Sequence, residues 1–299
     1  MNASTASTVH AMTVDVEDYF QVSAFAKVID PATWDSFASR VERNTHIILD
    51  LFDLNDLKGT FFVLGWIAER QPQLIREVSK RGHEIACHGY GHQLVYTQTP
   101  SIFASETKRS KDILEDIVQL PIVGYRAATY SITKQSLWAL DILEEQGFQY
   151  DSSIFPVHHD VYGIPEAPEH IHRVALAKSS SLIEFPLSSY RFLGHNIPVA
   201  GGGYFRLYPY ALSRWLLRRV AGSGAPFIFY LHPWEVDPEQ PRITNATALS
   251  RFRHYLNLER CESRLRKLIS DFSFTTIQRV LASAHGGDPL RLPVSKYSS

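Results

Sequence analysis

The stretch GTFFVLGWIAERQPQLIREVSKRGHEIACH, residues 59–88, decides the fold. Its first six residues, GTFFVL, predict a buried strand, and residues 73–81 predict a helix that ends at Gly82. The closing HEIACH, residues 83–88, predicts the next strand. Two strands joined through one helix form a βαβ unit, whose strands run parallel.

The same alternation extends over most of the chain and predicts an α/β protein with a mainly parallel sheet. The length of 299 residues suits two ordinary domains or one large α/β barrel. Because no repeat or linker is visible, we expect a tail at 1–10, a barrel at 11–240, a C-terminal extension packed on it at 241–283 and a flexible tail at 284–299. Further strands are predicted at 11–16, 123–126, 182–186, 226–231 and 272–277, and further helices at 31–54, 102–120, 134–146, 209–220 and 249–269.

Composition excludes several classes of protein. Hydrophobic residues make up 44% and the formal net charge is -1, so the chain can build a core and has no global field that would recruit nucleic acid. Its two cysteines, Cys87 and Cys261, suggest neither a disulfide framework nor a thiolate zinc site. With no apolar run long enough for a transmembrane segment and no signal-peptide pattern, we expect a cytoplasmic protein.

Polar side chains follow three of the predicted strands. His88 and His92 are four residues apart after one strand, a spacing that suits two ligands of one metal ion or, equally, two surface histidines in a glycine-rich loop. The acidic cluster Asp15, Glu17 and Asp18 ends the first strand, where acids serve either a metal or helix capping. His232 ends a hydrophobic strand. Three such strand ends together favour an active site over core packing.

Five motifs in order carry a family resemblance: TVDVED (13–18), HGYGH (88–92), YRAATY (125–130), YDSSIFP (150–156) and FYLHPW (229–234). Together they resemble the NodB-homology polysaccharide deacetylases of carbohydrate esterase family 4. The resemblance implies a distorted, seven-stranded (β/α) barrel with a C-terminal extension. AGGGYFR (200–206), HPWEVDPEQPR (232–242) and the basic stretch 253–268 are similar to the subgroup encoded with exosortase-linked exopolysaccharide loci.

The resemblance also implies a role for each matched residue. His88, His92 and a carboxylate would hold one divalent ion, with Glu17 favoured over Asp18; two histidines and a carboxylate suit zinc, while cobalt, nickel and iron tolerate the same ligands. The expected catalytic set is Asp15 as base, Arg126 orienting it, His232 as general acid and Asp151 tuning that histidine. Tyr130 and Trp234 are the expected sugar-binding residues, although aromatic residues at strand ends often serve packing alone.

The function implied is removal of N-acetyl groups from a polysaccharide or a lipid-linked oligosaccharide precursor in exopolysaccharide biosynthesis. The partner would be an N-acetylated glycan, with peripheral contact to a membrane-bound, lipid-linked glycan. Two alternatives stay open. One is a related metalloamidase that acts on a small non-glycan amide, and the other is a barrel that binds carbohydrate without catalysis.

Overall fold

The computed structural model describes residues 8–177, 181–284, 288 and 292–297. Seven parallel strands follow one another around the barrel in the order β10-β1-β2-β3-β4-β5-β7. This confirms the predicted α/β fold with a mostly parallel sheet. The strands are β1 (His10–Val16), β2 (Thr60–Val63), β3 (Glu84–Cys87), β4 (Gly124–Tyr125), β5 (Tyr150–Asp151), β6 (His172–Val174), β7 (Ile183–Glu184), β8 (Ser189–Phe192), β9 (His195–Pro198), β10 (Ile228–Leu231), β11 (Phe274–Thr275) and β12 (Val294–Ser295).

Helices cover the outside of this sheet. The alternation along β2 shows the layers: Phe61 and Val63 join the core beneath the helices, whereas Phe62 points into the barrel interior with Tyr150 and Tyr230. The helices are α1 (Val41–Asp53), α2 (Gly65–Arg70), α3 (Pro72–Lys80), α4 (Pro100–Val118), α5 (Trp138–Glu145), α6 (Gly202–Leu207), α7 (Tyr210–Ala221), α8 (Ala248–Tyr255), α9 (Leu258–Asp271) and α10 (Ile277–Ser283).

The barrel is distorted where β7 and β10 should meet. These two strands do not pair; a single parallel bridge between Gly201 and Tyr230 spans the gap, and Ile228 N–H donates to Ser188 Oγ beside it. Gly201 has φ of 138°, and a Cβ there would lie 1.9 Å from the Tyr230 carbonyl oxygen. Only glycine permits this backbone contact.

Two predicted helices are each split. The predicted helix 31–54 is a 3-10 turn at Pro31–Ser36 followed by α1, and the predicted helix 249–269 is α8 and α9, separated by Asn257 with φ of 52°. Apolar periodicity continued through both breaks, so it could not locate them. The short helix α2 was not predicted at all.

The expected flexible tail needs correction in its described part. Strand β12 pairs in parallel with β6, and the Tyr297 hydroxyl lies 2.7 Å from His172 Nε2. Strand β12 therefore adds an edge to the sheet. In the described ranges, no helix combines the length and the apolar character needed to cross a bilayer.

Candidate active site

Four strands deliver polar side chains to one mouth of the barrel. Asp15, His88, Arg126 and His232 lie at or just beyond the carboxyl ends of β1, β3, β4 and β10, and parallel strands present these ends on the same side. Asp15, His88 and His232 line a cavity of about 190 Å³. A larger cleft of about 760 Å³ lies at the opposite end of the strands, and none of the predicted site residues lines it. Chemistry, rather than size, identifies the smaller cavity as the site.

Asp15 is placed to act as a base. The Arg126 Nη1 group donates to Asp15 Oδ1 at 2.7 Å, and both side chains are buried. Burial raises the pKa of Asp15, but Arg126 and the nearby histidines outweigh it, so the net pKa lies below its usual value. Arg126 is itself held by Thr13 and Ser152. The ionised form of this carboxylate is therefore favoured, and Arg126 holds it in place.

Glu17, His88 and His92 form the only group in the described part of the chain whose geometry suits a metal, with ligand atoms all within 4.8 Å of one another. His88 Nδ1 lies 2.8 Å from the Arg126 carbonyl oxygen. A carbonyl can only accept, so Nδ1 carries the proton and Nε2 keeps its lone pair. Burial lowers the pKa of His88 to about 4, which keeps the ring neutral.

Glu17 completes this group. Its Oε2 atom lies 2.8 Å from His92 Nε2, yet it is buried and accepts no aligned hydrogen bond. Its Oε1 atom accepts from Trp234 Nε1 at 3.1 Å. A buried carboxylate with two imidazoles within reach is a donor set that fits one divalent cation.

Asp18, the other predicted carboxylate ligand, does not face this group. Its Oδ2 atom accepts from Ser39 Oγ and from the N–H groups of Arg40 and Val41, and Oδ1 accepts from Tyr19 N–H. Asp18 thus caps the start of α1, the alternative role that the sequence left open. Of the two candidates, only Glu17 lies among the histidines.

The predicted partner of His232 is wrong. His232 Nδ1 lies 2.6 Å from Glu235 Oε1, and Asp151 does not contact this ring. Burial lowers the pKa of His232, but Glu17 and Glu235 raise it to a net value of about 9. His232 Nε2 faces the cavity, 3.5 Å from Glu17 and 4.0 Å from Asp15. The histidine is therefore positioned as a proton donor, with Glu235 behind it.

Asp151 instead belongs to a buried pair below the site. It lies opposite Glu184 in the β5–β7 register and accepts from Ser153 Oγ at 2.5 Å. Burial and the neighbouring carboxyl raise the pKa of Glu184 well above its usual value, and burial raises that of Asp151 to about 6. Burial and the neighbouring carboxyl therefore favour the protonated form of Glu184. Asp151 supports the loop under Arg126 through Ser153, which accepts from Ala127 N–H.

The two predicted sugar-binding residues, Tyr130 and Trp234, both line the cavity, but their rings have different neighbours. Tyr130 lines the cavity, and its hydroxyl lies 3.3 Å from Asp15 Oδ2. Trp234 is sandwiched between His232 and His254, with ring centroids 5.1 and 4.2 Å away. Both faces of its indole are covered, so Trp234 supports Glu17 and His232 and offers no stacking face to a sugar.

Sequence reasoning missed three residues of this site. Glu235 could have been found from its position three residues after His232, the spacing of a capping box. Tyr162 forms part of the cavity wall, and Arg206 lies behind Glu235, from which it is 2.7 Å away. Arg206 ends the AGGGYFR motif (200–206), which the sequence analysis singled out without assigning it a role, whereas Tyr162 has no motif around it.

Comparisons with known proteins agree with this geometry. Residues 31–150 match the family described as "Polysaccharide deacetylase", and residues 152–282 match "Domain of unknown function (DUF3473)". The first range contains His88, His92 and Arg126, and the second contains His232 and Glu235.

Among curated proteins, similarity is partial. YheN, a candidate polysaccharide deacetylase of Bacillus subtilis, is 33% identical over 124 residues, covering 40% of this chain and 41% of YheN. A peptidoglycan deacetylase of Helicobacter pylori is 26% identical over 113 residues, 38% of this chain and 37% of that protein. A chitooligosaccharide deacetylase of Bradyrhizobium is 27% identical over 96 residues, which cover 32% of this chain and 42% of that protein. The matched region spans about two fifths of each relative.

Solved structures show the same fold over nearly the whole chain. A candidate polysaccharide deacetylase from Mycobacterium smegmatis superposes with a TM-score of 0.65 at 20% identity, covering 100% of this chain and 96% of that one. The allantoinase PuuE gives a TM-score of 0.58 at 15% identity, covering 93% and 91%. At these identities the similarity establishes the barrel architecture alone.

Proposed function

From the polysaccharide deacetylase domain that this chain contains, we propose that it is a metal-dependent hydrolase that removes N-acetyl groups from a glycan. One observation carries the proposal: an ionised Asp15 and a proton-donating His232 flank the Glu17, His88 and His92 cluster in a single cavity. Hydrolysis of an amide requires a base for water and an acid for the leaving amine. The cavity holds both.

Glu17, His88 and His92 would hold one divalent cation, and we propose zinc because two imidazoles and a carboxylate suit it. When bound, such a cation polarises an amide carbonyl and lowers the pKa of water. Cobalt, nickel and iron accept the same donors, so elemental analysis of the purified protein is needed to identify the metal.

The protein's own residues move the protons. Asp15 takes a proton from the attacking water, whose oxygen bonds to the acetyl carbon, while Arg126 keeps the carboxylate in place. His232 gives its Nε2 proton to the amide nitrogen as the C–N bond breaks, and Glu235 holds the opposite ring nitrogen. Acetate and a free amine on the sugar result. Tyr130 and Tyr162 form the aromatic wall against which the sugar would lie.

The finer substrate assignment remains a proposal. The peptidoglycan and chitooligosaccharide deacetylases among the relatives support an N-acetylated sugar as substrate. The exopolysaccharide precursor, the contact with a membrane-bound lipid-linked glycan and the cytoplasmic location rest on the sequence resemblance and composition, and they stay predictions.

The test is acetate release from N-acetylated chito-oligosaccharides by metal-stripped protein, with zinc or cobalt added back. We expect release that depends on added metal and is absent in Asp15→Asn. If this protein releases no acetate from glycans but hydrolyses a small amide such as allantoin, it is the metalloamidase instead. A protein that binds glycans tightly, holds metal and releases no acetate would be the non-catalytic alternative.

A further inference from the structure

The residues behind His232 connect it to the C-terminal part of the chain. His232 Nδ1 contacts Glu235, and Glu235 Oε2 accepts from Arg206 Nε at 2.7 Å. Arg206 Nη1 in turn donates to the carbonyl oxygens of His254 and Leu256 at 2.8 and 2.9 Å. These two carbonyls lie at the end of α8. A continuous series of hydrogen bonds therefore joins the C-terminal helices to the general acid.

We propose that Arg206, held by the C-terminal helices, is a positioning residue for His232, and that supplying this support is a role of the region that matches a family of unknown function. This inference rests on the proposed function, because it concerns the proton donor of that reaction. Arg206, Glu235, His232, His254 and Leu256 all lie within residues 152–282.

The ion pair between Arg206 and Glu235, in the middle of this series of hydrogen bonds, is buried. The side chains of Arg206 and Glu235 are 2% and 1% exposed. Burying an ion pair costs desolvation energy, so such a pair is weak support for stability by itself. Its value lies in geometry, because the planar guanidinium presents its donors at fixed angles and prevents Glu235 from rotating away from His232.

Arg206 is fixed on its other side as well. Its own carbonyl oxygen accepts from Asn257 Nδ2 and from Arg264 Nη1, both at 2.8 Å. Asn257 stands between α8 and α9, and Arg264 lies on α9. The backbone and the side chain of Arg206 are thus both held by the C-terminal helices.

A second contact reaches the cluster of candidate ligands. The Arg206 guanidinium lies over the Trp234 ring, 5.1 Å from its centroid, and Trp234 donates to Glu17 Oε1. His254 packs against the other face of the indole from that of His232. The C-terminal helices therefore support both the proton donor and one candidate metal ligand.

The test is a double-mutant cycle in the full-length, metal-loaded protein, with kcat and KM measured for acetate release. Glu235→Gln keeps the shape and removes the charge, and Arg206→Lys keeps the charge and removes the planar donor pair. We expect Glu235→Gln to lower kcat about 100-fold, the scale of general acid catalysis, with KM and metal content unchanged. Arg206→Lys should lower kcat about tenfold, the scale seen for residues that orient an active group.

The coupling between the two substitutions shows whether Arg206 acts through Glu235 or only stabilises the fold. If Arg206 acts through Glu235, Arg206→Lys should change kcat less than about twofold in the Glu235→Gln background. An equal loss in both backgrounds, or a loss of metal with unchanged turnover per bound metal, overturns the proposal. Arg266→Met is the matched control, because Arg266 forms an exposed pair with Glu262 on α9 and should leave kcat unchanged.

A spectroscopic measurement keeps this inference separate from the proposed function. The Nδ1 proton of His232 should give a strongly deshielded NMR signal that disappears in Glu235→Gln and shifts in Arg206→Lys, whether or not acetate is released. If the signal shifts in Arg206→Lys but the parent protein shows no deacetylase activity, the proposed function is refuted and the positioning role of Arg206 is retained. If the signal does not shift in Arg206→Lys, only the positioning role is refuted.

Discussion

Glu17 and Asp18 are adjacent in the chain, but Glu17 lies beside the histidines and Asp18 caps the start of α1. Isosteric substitutions of each residue therefore test which of the two is a metal ligand. Glu17→Gln removes the charge next to His92, which is 2.8 Å from Glu17 Oε2. Asp18→Asn removes the charge at the start of α1. We expect the first variant to lose metal and the second to lose stability.

The structure sets the size of the second effect. In Asp18→Asn the amide oxygen can replace Oδ2 as acceptor for Ser39, Arg40 and Val41, but the amide nitrogen then faces the N–H of Tyr19. One hydrogen bond is lost, and two buried donors, the Tyr19 N–H and the new amide nitrogen, face each other without an acceptor. Burial raises the pKa of Asp18, so removal of its charge offsets part of the loss. The free energy of unfolding should fall by about 1–2 kcal/mol.

Urea unfolding of the metal-free proteins measures the stability, and elemental analysis after dialysis against zinc measures the metal. Asp18→Asn should retain one zinc per chain with a lower urea midpoint and an unchanged slope. Glu17→Gln should bind less than one zinc per chain, because it loses the charge beside His92. The reverse pattern, with zinc lost in Asp18→Asn and kept in Glu17→Gln, would refute the assignment of the ligand.

Three further predictions concern other parts of the molecule. His88→Ala should abolish zinc binding and acetate release together, whereas Asp15→Asn should keep the zinc and lose turnover; acetate release by purified Asp15→Asn would remove that residue from the role of base. Burial lowers the pKa of His83 from 6.5 to about 4, so the free energy of unfolding should decrease as pH falls from 6.5 toward 4, and His83→Gln should flatten this decrease in urea titrations. Gly201→Ala would place a Cβ 1.9 Å from the Tyr230 carbonyl oxygen, so soluble, cooperatively unfolding protein should be much reduced; a stability equal to that of the parent would show that the bridge is dispensable.

Most of the barrel could be predicted from the sequence. Buried strands such as β2 and β10 are short, mainly apolar runs, and the helices between the strands show their own periodicity. These signals are local, so they appear without knowledge of the partner strand. The same signals fail where periodicity runs through a break, as at Asn257 between α8 and α9.

The sequence by itself also determined which residues reach the mouth of the barrel. A polar side chain directly after a parallel strand must lie at that end, so Asp15, His88 and His232 could be placed there from their positions alone. Their expected roles as base, ligand and acid come from the family resemblance of the ordered motifs and stay predictions.

Only the tertiary structure decided which partner each of these residues has. Glu17 and Asp18 are adjacent, but Asp18 accepts hydrogen bonds from N–H groups at the start of α1, more than twenty residues away. Asp151 was the expected partner of His232, but Glu235 takes that place and is held by Arg206, which is 29 residues away in the chain. Hydrogen bonds and ion pairs depend on distances between atoms that distant segments bring together, and no local pattern records them.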